Sequence, residues 1–240
     1  MKKTPRLLLA TIAVAALALA GSVAAASACG TGGYSYAGVG APTFGSGISA
    51  VITPLGSFDI ANGHVAGWVG VGGPGLGPNG TDEWLQIGFA GFPGLYSDIY
   101  YEVALPGRYP VFHEVVKNPP AGHPFRFAVR EVQPNWWRVL LNGEPVSPAI
   151  HLPESHNKFM PIATAESWDG GYGGACNDFL YSFERVKVAH RTGGLFHGLN
   201  DGFRIKSAKT TLQRVGTDFI AAEGAPSVRS LLIRSLLLKP

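Results

Sequence analysis

Glu83-Trp84-Leu85-Gln86-Ile87-Gly88 reads as a β-strand carrying a bulky aromatic, an apolar pair and one uncharged amide at its centre. A glutamine inside an apolar strand needs a hydrogen-bond partner at each end of its amide. Gln86 is therefore either pinned to neighbouring backbone or solvent, or aimed at a ligand. Far downstream, Thr164-Ala165-Glu166-Ser167-Trp168 places a carboxylate in a similar apolar setting. The functional reading turns on whether these two side chains meet.

Outward from this stretch the chain is strand after strand. Short β-branched or aromatic runs recur at Ile48–Leu55, His64–Val71, Ile99–Leu105, Val111–Val116, Phe125–Val132 and Trp136–Leu141. Phe125, Phe127 and Val129 alternate with Arg126, Ala128 and Arg130, the period-two pattern of a strand. Asn142-Gly143 predicts a tight hairpin turn, with Val146–Leu152 returning as the partner strand. Phe159–Trp168, Phe179–Val188 and Phe203–Leu212 complete the set. The high content of Gly (33) and Pro (18) suits tight turns between strands, and no fixed-period repeat is present.

The N-terminus carries Lys2, Lys3 and Arg6, then an apolar run from Leu7 to Ala20, then small residues ending in Ala26-Ser27-Ala28. This is the pattern of a signal peptide over residues 1–28, and it predicts a secreted, extracellular protein with no stable membrane insertion after cleavage. Cys29 and Cys176 are the two cysteines. In an oxidising compartment they are expected to form a disulfide, with lipid anchoring at Cys29 as the competing outcome. Residues 29–217 are expected to form one sandwich domain, and residues 218–240, with leucines and arginines at helix-like intervals, a C-terminal tail that is a short helix or disordered. Removing Lys2, Lys3 and Arg6 from the 19 basic residues leaves 16, equal to the 16 acidic ones. A neutral mature chain argues against a nucleic-acid partner, and a monomer is expected.

Several chemistries lack their residues. There is no His-Glu-x-x-His run, no cysteine pairing for zinc, no phosphate-cradling Gly-rich loop ending in Lys-Ser or Lys-Thr, and no Gly-x-Ser-x-Gly. The seven histidines are scattered without ligand spacing, so neither a metal nor a cofactor is expected. Acidic chemistry remains. A carboxyl in apolar surroundings can serve as general acid or base, and a side-chain amide can stabilise an oxyanion. Trp168, two residues beyond Glu166, would wall that carboxyl on the same strand face.

The order Trp68-Val69-Gly70, Leu85-Gln86-Ile87-Gly88, Tyr100-Tyr101-Glu102 and Ala165-Glu166 resembles the motif order of the glutamic endopeptidases, the eqolisin family (peptidase family G1). The resemblance spans roughly Val65 to Val188. It implies an all-β, concanavalin A-like (jelly-roll) sandwich of two curved antiparallel sheets. It further implies a catalytic Gln86–Glu166 dyad hydrolysing polypeptides in acid, with Trp68 and Glu102 lining the cleft. Tyr101 and Trp168 are added as substrate-binding candidates, although Tyr100 and Tyr101 point to opposite faces of their strand, so that at most one lines the cleft. The chain departs from the family pattern at Gly70-Val71-Gly72-Gly73, where no Asp follows, at Tyr100 in place of a tryptophan, and at Ser167-Trp168-Asp169. The alternative function is a non-catalytic, lectin-like module whose aromatics stack on glycan rings. A glycosidase using Glu102 and Glu166 is a further option.

Overall fold

The computed structural model describes residues 33–56, 58–94, 97–171 and 177–224. The expected signal peptide, both cysteines of the expected disulfide and residues 225–240 of the expected tail lie outside these. In chain order the strands are β1 (Tyr34–Gly40), β2 (Gly47–Pro54), β3 (His64–Gly73), β4 (Glu83–Gly91), β5 (Asp98–Ala104), β6 (Val111–Val116), β7 (Phe125–Gln133) and β8 (Trp136–Leu141). They continue as β9 (Glu144–Pro145), β10 (Ile150–His151), β11 (Pro161–Trp168), β12 (Phe179–Ala189), β13 (His197–Gly198), β14 (Phe203–Lys206), β15 (Thr210–Val215) and β16 (Asp218–Glu223).

These strands form two antiparallel sheets. One has seven strands in the order β14-β1-β11-β3-β4-β5-β6. The other has nine, with the path β10-β8-β7-β2-β12-β16-β15, β13 beside β12 and β9 beside β8. The all-β expectation holds, but that of two curved, jelly-roll sheets is corrected: neither sheet is closed or strongly curled. Closure needs the outermost strands to pair with each other. Here β14 and β6 are the ends of one sheet and β10 and β15 the ends of the other, and β14 and β10 are only four and two residues long.

The core lies between the sheets and is built by alternation. In β4, Leu85, Ile87 and Phe89 are buried in the main core, whereas Trp84, Gln86, Gly88 and Ala90 take the other face. The ring of Phe89 meets Phe127 of β7 edge-on, with centroids 5.2 Å apart, a favoured aromatic geometry.

Three local expectations change. The run Phe203–Leu212 divides into β14 and β15, which join different sheets. The return strand after Asn142-Gly143 is broken, because Pro145 and Pro148 cannot donate to the ladder; Ser147 Oγ accepts from Val139 N at 3.0 Å instead. The body also does not end at residue 217. Asp218–Glu223 is a strand paired with both β12 and β15, since the run Phe219-Ile220-Ala221-Ala222 is buried there.

Glu83, the first residue of β4, is fully buried, and neither carboxyl oxygen has a hydrogen-bond partner. Burial, with the Glu154 charge adding to it, pushes its carboxyl up from the ordinary 4.5 to about 7. A group raised in the folded state contributes stability that is whole below its unfolded value and lost as pH climbs through its folded value. The wild type should therefore lose stability from this group between pH 4.5 and about 7, on the order of 3 kcal/mol. Denaturant unfolding of Glu83→Gln should show no such component, so the gap between variant and wild type widens over this range. Parallel pH dependences would show that Glu83 is not the cause.

Candidate active site

The outer face of the seven-stranded sheet carries the side chains singled out by sequence. Register fixes their places. Gln86 lies between Gly70 of β3 and Glu102 of β5. Glu166 lies between Tyr36 of β1 and Ala66 of β3. Trp68 sits between these two positions, opposite Thr164 on one side and Gly88 on the other. Small residues at 66, 70, 72 and 88 leave this stretch of the face low, and larger ones rim it. The result is a groove of about 450 Å³ lined by Trp68, Trp84, Gln86, Glu102, Glu166 and Tyr36 among others, with Pro74 and Leu76 of the loop after β3 as a wall. Gly70 belongs to this arrangement by necessity: a Cβ there would lie 2.8 Å from Gln86 Cβ.

Gln86 and Glu166 are two strands and four residues apart. On a flat sheet that is ~16 Å between Cα atoms, from strand spacings of ~4.8 Å and a rise of ~3.3 Å per residue. The two are not bonded to each other here: Gln86 bonds Tyr100 of β5, and Glu166 bonds His64 of β3. The two are 8 % and 7 % exposed, so each is largely desolvated yet opens on the groove.

Each polar group has a definite partner. Gln86 Nε2 donates to the Tyr100 hydroxyl at 2.8 Å, which occupies one of its two N–H bonds and leaves the other. Tyr100 is buried and stacks on Phe112 at 4.7 Å. Burial raises its phenol well above the ordinary value, and Glu166 and Glu102 raise it further, so it stays protonated. Trp84 Nε1 donates to Glu102 Oε1 at 2.8 Å. Burial pushes the Glu102 carboxyl up, with Glu166 acting in the same sense and the Trp84 bond and His64 opposing. Glu166 Oε1 lies 3.3 Å from His64 Nε2. The indole Nε1 of Trp68 is buried without a partner, a donor left over in the wall of the groove.

Of the residues expected from sequence, Gln86, Glu166, Trp68 and Glu102 come together in this groove. Trp168 lies just outside it, stacked on Tyr34 with centroids 6.1 Å apart. Tyr101 is corrected: it belongs to the main core and stacks on His113 at 4.4 Å. Glu102 faces the groove, and the residue next to it in a strand must face away. Sequence reasoning took Tyr101 rather than Tyr100 as a site candidate, and it missed His64. Parity with Glu102 signals Tyr100, whereas no local pattern marks His64. Among the described residues no group of three or more His, Cys, Asp or Glu could hold a metal, and no helix is long and apolar enough to cross a membrane.

No protein-family model matches the chain, and no curated protein matches it by sequence. Solved structures do. Scytalido-glutamic peptidase, determined with a peptide-based transition state analog, is 16% identical with a TM-score of 0.56, covering 79% of this chain and 98% of that one. SCP-B, a member of the eqolisin family of peptidases determined with the tripeptide Ala-Ile-His, is 16% identical with a TM-score of 0.53 over the same shares. At this identity the likeness is one of fold.

Tyr100→Phe keeps the ring against Phe112 but leaves the Gln86 amide without its buried partner. Urea unfolding should show a loss of about 1 kcal/mol. An unchanged midpoint would mean that the Gln86–Tyr100 bond contributes nothing to holding the amide. The remote relationship, at 16% identity, is therefore to the two-sheet fold of the eqolisin glutamic peptidases.

Proposed function

We propose that this chain is a secreted peptidase of the glutamic type, working in acid on polypeptides. The observation that carries the reading is that Gln86 and Glu166 line one groove, with the buried, unpaired indole N–H of Trp68 on the strand between them. The fold likeness to two eqolisin peptidases supports the same reading.

The reaction assigns each group one task. A water between the two side chains gives its proton to the Glu166 carboxylate as its oxygen bonds to the substrate carbonyl carbon. The carbonyl π electrons move to oxygen, and the free Gln86 N–H donates to that oxyanion. The Trp68 N–H is a second candidate donor. Glu166 then returns the proton to the amide nitrogen, the C–N bond breaks, and a carboxylic acid and an amine leave. Glu166 thus serves as base and then acid without a covalent intermediate. Among the described residues no Lys or Arg lines the groove. An extended neutral or basic segment suits it better than an acidic one, whose carboxylates would meet Glu102 and Glu166.

A second reading keeps one specific observation. Tyr34 is half exposed and stacked with both Tyr36 and Trp168, a platform of the kind that holds sugar rings. Glycan binding with no proteolysis from pH 2 to 7 would favour that module over the peptidase.

The test is hydrolysis of an unfolded polypeptide across acid pH in the presence of pepstatin, a chelator and a serine reagent. Activity should survive all three. Glu166→Gln and Gln86→Ala should each lower kcat/KM by about 10²-fold or more. Full activity in both variants would remove the dyad from the mechanism.

A further inference from the structure

We propose that His64 is a positioning residue that holds Glu166 and sets the proton count of the dyad, an inference that rests on the peptidase reading above. His64 opens β3 opposite Trp168, and the next pair on the same face is Ala66 opposite Glu166. The imidazole is thus a diagonal cross-strand neighbour of the carboxyl. The small side chain of Ala66 leaves the space between them open. Nε2 reaches Oε1 at 3.3 Å, with the two side chains 20% and 9% exposed.

The ring has little freedom to leave. Its centroid lies 5.6 Å from that of Trp168, 6.0 Å from that of Tyr34 and 6.1 Å from that of Phe92. Three aromatics from three segments enclose it. The other titratable groups near the pair are Tyr34 and Tyr36 from β1, Tyr100 and Glu102 from β5, and Tyr181 from β12. The four tyrosines are raised, chiefly by burial, and stay neutral. β4 contributes the uncharged Gln86. Among the described residues, His64 is therefore the one group able to carry positive charge that lies within ion-pair distance of Glu166.

Two consequences follow from this contact. Holding Oε1 leaves the second carboxyl oxygen for the water in the groove. The bond also persists through a change of protonation. An imidazolium donates to the carboxylate, and a neutral ring accepts from the carboxylic acid, so the pair holds one proton in either description. The carboxylate form of Glu166 thereby has a counter-charge at 3.3 Å whenever the ring is protonated.

The test uses His64→Phe, which fills the aromatic enclosure without a donor, and His64→Gln, which restores a neutral donor. With a peptide substrate, His64→Phe should lower kcat at least tenfold with KM within twofold, and His64→Gln should recover part of the loss. In both, the acid limb of the kcat/KM profile should move toward neutral pH, because the counter-charge is gone. A merely structural role would scale the whole profile and leave the limb in place, which overturns the proposal. Independently of catalysis, the imidazole NMR titration of His64 in full-length protein should have different midpoints in wild type and Glu166→Gln. Equal midpoints in folded proteins overturn the pairing. Different midpoints in a protein that cleaves no peptide support the pairing and overturn the peptidase reading alone.

Discussion

The groove depends on the register of β4 between β3 and β5. A strand has a strict two-residue period, so one choice of face settles all its side chains. Leu85, Ile87 and Phe89 are large and apolar and claim the core. Trp84 and Gln86 are thereby sent to the opposite face, and pairing then sets Gln86 beside Gly70 and Glu102. A slip of one residue would bury the amide between the sheets and expose three large apolar side chains. The energy that places the candidate donor is therefore hydrophobic, supplied by its neighbours rather than by anything the amide does.

Shape follows from residue size more than from curvature. The sheet is open, yet a groove forms because small residues lie low in the middle of the face while aromatics and the loop after β3 stand around it. The electrostatics follow from this enclosure. Glu102 lies in a partly dry site without a Lys or Arg among its lining residues, so burial first, and the Glu166 charge with it, push its carboxyl up. Glu83, at the start of β4, obeys the same rule inside the protein.

Much of this was legible in the residues. Period two and turn chemistry mark most strands, and the spaced motifs around Trp68, Gln86, Glu102 and Glu166 identify four side chains that share the groove. Parity also contained a warning: Tyr101 and Glu102 are adjacent in a strand and cannot both face it, and register decides in favour of Tyr100. Other features depend on partners distant in sequence. His64 is an isolated histidine until pairing sets it beside Trp168. The split of residues 203–212 between two sheets, the pairing of Asp218–Glu223 and the open sheet edges are settled by which strands meet, and no short window encodes that.

The central claim is that Gln86 and Glu166 act on one molecule between them. A high-resolution crystal structure at acid pH tests it most directly. The account predicts a single ordered water within about 2.6–3.2 Å of both the Gln86 amide and the Glu166 carboxyl. Side chains turned apart, with no solvent atom in reach of both, would contradict it.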